Sequence, residues 1–330
     1  MSNLVPALGL IVIAGLSNAA FALPMRYNRT WKWENTWVVF AACSLSVFPW
    51  LLTLFLVHRL PELLASLSLR DLEPALLFGF LWGIAMATYG LALSLLGISI
   101  AVPVVAGLTI IVGTFTPILA RHPALLHERP GIMMELSAVL LIGSLLLYGK
   151  AARTREGATP SSQSSLGMML AVFTGVFGGM INVGFALSDK IVQRSQMLGN
   201  SASVSTYPVW AFLLTAGLVP SLLYCSYLII TRRTGKVFIS AGSMPDFIRS
   251  VLMAVLWIMA TVCYGMSTTF LGKLGTSEGF LFYGAFSIFF ANVIGWKAGE
   301  WANAPSPALK RFWVAMGLAL ASIGILGMVR

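Results

Sequence analysis

Glu278 is the residue of this sequence best placed for proton chemistry. It opens an apolar run, directly before Gly279-Phe280-Leu281-Phe282-Tyr283, whereas most other acids fall in polar stretches. A carboxyl group held among apolar side chains has a raised pKa, so it can bind a proton in one conformation and release it in another. The same position also suits an ordinary first-turn acid, favoured by the helix dipole and capped by Ser277 or Thr276. Glu135 could do the same job but sits beside the loop that begins its run, and Asp189-Lys190 reads as a solvated boundary.

A second group of residues suits a neutral polyol. Trp82 and Tyr89 are seven apart and share one helix face, as do Trp257 and Tyr264. Flat aromatic faces match the apolar C–H face of a sugar, and its rim needs hydrogen bonds. Asn18, Asn182, Thr109 and Asn292 are the candidate partners for that rim. Each of these residues could instead simply pack a helix bundle. Enzyme signatures are missing: there is no P-loop, no HExxH and no Cys-x-x-Cys, so neither an enzyme nor ATP-driven work is expected. His58, His122 and His127 fall at the ends of apolar runs or between them, where an exposed structural role is expected.

The elements that position these residues follow from composition. The 330 residues have a mean hydropathy of +0.87, with 58% hydrophobic and 10% charged residues. A water-soluble globule cannot hide that much apolar surface, so a polytopic membrane protein is expected. Ten apolar runs reach spanning length, at about 4–25, 36–57, 74–96, 98–119, 132–149, 166–188, 206–230, 248–272, 277–297 and 311–329. They are continuous and lack the alternation of barrel strands, so each reads as a helix. The first is expected to stay as a span, because no basic segment precedes it. Cys43, Cys225 and Cys263 lie inside apolar runs and read as small core residues, with no disulfide or metal framework. The net charge of +10 is spread over short stretches, which suits lipid headgroups and not a nucleic-acid face.

The chain also repeats itself. Leu81-Trp82, Tyr89-Gly90 and Leu96-Gly97 recur as Leu256-Trp257, Tyr264-Gly265 and Leu271-Gly272, each at an offset of 175. Asn18-x-x-Phe21-Ala22-Leu23 recurs as Asn182-x-x-Phe185-Ala186-Leu187, and Phe48-Pro49-Trp50-Leu51-Leu52 faces Val219-Pro220-Ser221-Leu222-Leu223. The predicted organisation is one five-helix repeat over 1–150, a linker over 151–165 rich in Ser, Thr and Pro from Ala158, and a second repeat over 166–330. Five is odd, so the second copy enters the membrane from the opposite side. Inverted repeats of this kind frame a midplane site in alternating-access carriers. Pro103 is the repeat counterpart of Glu278, and Pro117 also interrupts the fourth span. Gly79-x-x-x-Gly83 and Gly175-x-x-x-Gly179 read as close-packing motifs. Loops after odd-numbered spans hold 13 of the 21 Lys and Arg, which places both termini outside.

Several stretches resemble a known family. They are Trp31-Lys32-Trp33-Glu34-Asn35-Thr36-Trp37, Leu77-Phe78-Gly79-x-x-Trp82-Gly83-Ile84, Tyr89-Gly90-Leu91, Leu96-Gly97, Gly107-Leu108-Thr109-Ile110-Ile111-Val112-Gly113-Thr114, Thr116-Pro117-Ile118 and Glu300-Trp301-x-Asn303-Ala304. Together they are similar to the L-rhamnose–proton symporter family of the drug/metabolite transporter superfamily, from the first span to the last. The resemblance implies ten helices in two inverted halves, in the cell inner membrane, taking up L-rhamnose or a related small neutral sugar with a proton and with no other cofactor. The chain departs from the pattern at Ser94, where a basic residue is expected, and around the ninth span, where the nearest acid to an expected Asp is Glu278. The alternatives are a carrier of the same fold for another metabolite, such as an amino-acid exporter, or a membrane sensor or integral-membrane enzyme.

Overall fold

The computed structural model describes residues 4–157 and 165–329. Among these, ten helical spans are long and apolar enough to cross a membrane: α1 (Leu4–Tyr27), α2 (Trp33–Leu56), α3 (Leu69–Leu96), α4 (Ser99–Arg121), α5 (Arg129–Arg155), α6 (Ser165–Met197), α7 (Val204–Thr231), α8 (Ser243–Thr268), α9 (Gly272–Lys297) and α10 (Ser306–Gly327). Each of the ten apolar runs becomes one of these spans. Hydrocarbon offers the backbone no hydrogen bonds, so each run must satisfy its own donors and acceptors by coiling. Of the linker over 151–165, positions 158–164 lie outside the described residues, and 151–156 continue the helix of α5.

Proline departures from regular helix are compensated by neighbouring spans. Pro49 has no N–H, so the Leu45 carbonyl four residues earlier loses its usual partner. The α2 backbone widens to a π-turn over Cys43–Val47 at that point. Thr215 of α7 donates to the Leu45 carbonyl at 3.4 Å and itself accepts from the Trp50 indole at 2.9 Å. Pro117 frees the Gly113 carbonyl of α4 in the same way, and the Asn182 side chain of α6 donates to it at 2.8 Å.

Glycines set the closest crossings. A Cβ at Gly79 would collide with the Leu213 carbonyl of α7, and one at Gly83 would lie 2.8 Å from the Gly217 Cα. A Cβ at Gly175 would press on Leu108, and one at Gly179 would come within 2.7 Å of the Gly113 nitrogen. Both small-residue motifs therefore bring α3 onto α7 and α6 onto α4.

Polar ties gather at the two ends of the bundle. At one, here called the near end, Asp246 at the start of α8 accepts from the backbone N–H groups of Arg29, Thr30 and Trp31, and pairs with Arg249 at 2.6 Å. Glu34 pairs with Arg232 at 3.1 Å and accepts from Thr234, while Arg26 reaches Glu300 at 2.6 Å. The Asp246 and Glu34 side chains are each only 1% exposed. At the opposite, far end, Arg121 pairs with Asp189 at 2.8 Å and Arg194 with Asp71 at 3.2 Å, and Asn200 bridges the His58 backbone. The carboxylates of those far-end pairs are more exposed than Asp246 and Glu34.

Candidate functional site

Trp82 lies halfway along α3 and Trp257 halfway along α8. Their rings stack with centroids 5.9 Å apart and planes 23° from parallel. Together with Phe21, Trp37, Phe40, Ala41, Leu45, Met86 and Ser221 they wall a central cavity of about 60 Å³. Five spans contribute: α1, α2, α3, α7 and α8. The lining contains no charged side chain. Its hydrogen-bonding groups are three indole N–H groups and one hydroxyl. None of the Trp37, Trp82 and Trp257 indoles bonds to any described residue. By contrast, the Trp50 indole is spent on Thr215.

A second cluster lies beside this cavity, at the start of α9. The Asn182 amide donates to the Gly113 and Thr276 carbonyls at 2.8 and 3.2 Å. The Tyr264 hydroxyl sits between the Asn182 side-chain oxygen and the Thr276 carbonyl, 2.9 Å from the latter. Asn182 and Tyr264 are therefore tied to each other and to the first turn of α9, two residues before Glu278. Glu278 is 2% exposed. Tyr264 also touches the rings of Phe185, Trp210, Phe280 and Tyr283, so an aromatic chain runs from α6 and α7 to α9. The same helix, α8, carries Trp257 in the cavity and Tyr264 in this knot, two turns apart.

A separate hollow of about 120 Å³ sits at the far end. Pro117, Arg121, His122, Thr268, Lys273, Thr276 and Ser277 line it, so it reaches the two residues before Glu278.

The remaining expected site residues are placed elsewhere. Asn18 donates to the Ser287 hydroxyl at 3.2 Å, tying α1 to α9. Thr109 donates to the Gly175 carbonyl at 3.2 Å, tying α4 to α6. Tyr89 packs, half-buried, with Ala92, Leu96, Ala101, Val105 and Ala171. Asn292 is buried in α9, and its amide nitrogen has no partner among the described residues. The structure thus brings Trp82 and Trp257 into one cavity and ties Asn182 and Tyr264 to the first turn of α9, two residues before Glu278. Asn18, Thr109, Tyr89 and Asn292 are not among the cavity's lining residues. Spacing gave no signal for Trp37, Phe40 or Met86. The repeat did carry one for Ser221, since it stands where the first half has Trp50.

The family model for L-rhamnose-proton symport protein (RhaT) matches residues 1–329. The chain belongs to the L-rhamnose-proton symport family. It is 26% identical over 334 residues to an L-rhamnose-proton symporter of Escherichia coli O1:K1 / APEC, covering 95% of each chain. It is 24% identical over 307 residues to an L-rhamnose-proton symporter of Yersinia pestis (strain Pestoides F), covering 89% of each. The family is one of sugar–proton symporters and not of enzymes, and ten spans make this member a multi-pass membrane protein.

Proposed function

We propose that this member of the L-rhamnose-proton symport family carries L-rhamnose, or a related small neutral sugar, together with a proton across the cell inner membrane by alternating access. The observation that carries the sugar assignment is the character of the central cavity. Two stacked indoles offer flat apolar faces, and the polar groups beside them lack protein partners. A zwitterionic amino acid would need charges to meet its own, and the lining has none. That disfavours the amino-acid alternative. The cavity is well below the roughly 300–1,000 Å³ of typical ligand sites, so the helices must part to admit a sugar.

Alternating access needs two bodies that rock. The halves 1–150 and 166–330 are the natural pair, with the second inverted relative to the first. The meeting of Trp82 with its repeat counterpart Trp257, each midway along its span, supports that arrangement. The far-end hollow approaches Glu278, while the near end is closed by buried carboxylates. The excess of Lys and Arg on the near side favours a far end that faces outside, the side from which an uptake symporter collects its proton.

Coupling requires the proton to bind better to the state that also binds sugar. Glu278 is the proposed proton site. Protonation removes a buried charge and changes what the first turn of α9 must satisfy. Through Thr276, Tyr264 and Asn182 that turn is tied to α8, and α8 carries the cavity wall at Trp257. In vesicles, Glu278→Gln is expected to abolish sugar accumulation driven by a pH gradient while leaving sugar exchange. Normal gradient-driven accumulation by the variant would rule Glu278 out as the coupling group.

A further inference from the structure

Ser221 is the one hydroxyl among the residues lining the central cavity. It is 5% exposed, and its hydroxyl makes no hydrogen bond to any described residue. Several helical hydroxyls of α2 and α8, spans that share the cavity with α7, are instead satisfied within their own helix. Ser44 and Thr53 of α2 donate to the carbonyls of Phe40 and Pro49, and Thr261 of α8 donates to that of Trp257, each four residues back. Such back-bonding is a common way for Ser and Thr to be satisfied in a membrane helix. The Ser221 oxygen is not closed off in the protein but opens onto the cavity, so it is free to meet a molecule bound there.

The repeat explains how the space arises. Ser221 follows Pro220 as Trp50 follows Pro49. In the first half the large indole fills its site and bonds to Thr215. In the second half a side chain of two heavy atoms stands in its place. The hollow between α1, α2, α3, α7 and α8 therefore has this hydroxyl at its edge where an indole would otherwise stand.

Resting on the sugar-transport reading above, we propose that Ser221 is a specificity-determining residue: its hydroxyl pairs with one ring hydroxyl of the bound sugar, while Trp82 and Trp257 take the sugar's C–H face. Ala41, Leu45 and Met86 supply an apolar wall without hydrogen-bonding groups. A deoxy carbon fits such a wall, and a primary hydroxyl there would lose its water without replacement.

The test uses the full chain in proteoliposomes, with counterflow of L-rhamnose and of a set of its monodeoxy analogues. Ser221→Ala is expected to raise the KM for L-rhamnose roughly five- to tenfold, the worth of about one hydrogen bond, with little change in maximal rate. Ser221→Thr, which keeps the hydroxyl, is expected to recover most of that loss. One monodeoxy analogue should be weakened to a similar degree in the wild type and be indifferent to Ser221→Ala. An unchanged KM for L-rhamnose in Ser221→Ala overturns the proposal. So does a penalty of equal size on every analogue, since a merely structural role would weaken all of them alike. Failure of the wild type itself to exchange L-rhamnose would instead bring down the transport reading, and this assignment with it.

Discussion

Asn182 ties α6 to α4 and to α9, and its removal can be worked through bond by bond. Asn182→Leu keeps the side-chain size and removes three hydrogen bonds: two donated, to Gly113 and Thr276, and one accepted, from Tyr264. Two of the three partners are not stranded, because the Tyr264 hydroxyl and the Thr276 carbonyl still have each other at 2.9 Å. The Gly113 carbonyl is different. Pro117 has no N–H to give it, so it would be left bare in a buried site. One stranded acceptor costs about 1–3 kcal/mol, and interhelical hydrogen bonds in membranes average only about 0.6 and reach about 1.7 kcal/mol. The expected loss is therefore about 1–2 kcal/mol, not the sum of three bonds. It should appear as a fall of a few degrees in the thermal unfolding of the detergent-solubilised protein, followed by tryptophan fluorescence. The decisive comparison is the double variant. Pro117→Ala restores an N–H four residues after Gly113, which can take over that carbonyl within α4. Asn182→Leu with Pro117→Ala should therefore be more stable than the two single losses added together, by about 1 kcal/mol. Simple additivity, or an Asn182→Leu protein as stable as the wild type, would refute the reasoning.

Two further perturbations address the frame around the site. Gly79→Ala would drive a methyl into the Leu213 backbone, which cannot swing aside like a side chain, so α3 and α7 must separate. A loss of about 1–3 kcal/mol is expected, read as a lower unfolding temperature and a smaller folded fraction in size-exclusion profiles; wild-type behaviour in both would show that the crossing is looser than described. Asp246→Asn keeps the shape of the near-end tie but removes its charge and its pairing with Arg249. Charge-assisted hydrogen bonds are about twice as strong as neutral ones, so amide exchange at Arg29, Thr30 and Trp31 should speed up roughly tenfold. Unchanged exchange would mean that the carboxylate does not hold that loop.

The spans were legible because hydrocarbon leaves so little choice: a run that reaches about 20 apolar residues must be a helix. The meeting of Trp82 with Trp257 was legible too, through the recurrence of Leu-Trp, Tyr-Gly and Leu-Gly pairs at a constant offset of 175. Tyr89 shows where spacing stops being informative. It is seven residues from Trp82, and seven residues fall about 20° short of two full turns. With the neighbours of α3 changing along its length, that face meets α4 and α6 by the height of Tyr89 and not the cavity. Asn18 and Asn182 open matching Asn-x-x-Phe-Ala-Leu segments and do different work. The difference comes from Pro117, on another helix, whose missing N–H makes a demand that only Asn182 is placed to meet. The walls from α1, α2 and α7 depend on which spans become neighbours, and no periodicity within a single span encodes that.

Counterflow tests the central claim most directly. Proteoliposomes holding the full chain and loaded with unlabelled L-rhamnose are diluted into a trace of labelled sugar, at equal pH on both sides. The account predicts a transient rise of labelled sugar inside above its outside concentration, and no such rise when a labelled amino acid replaces it. Absence of any rise with L-rhamnose, with exchange of the amino acid instead, would contradict it.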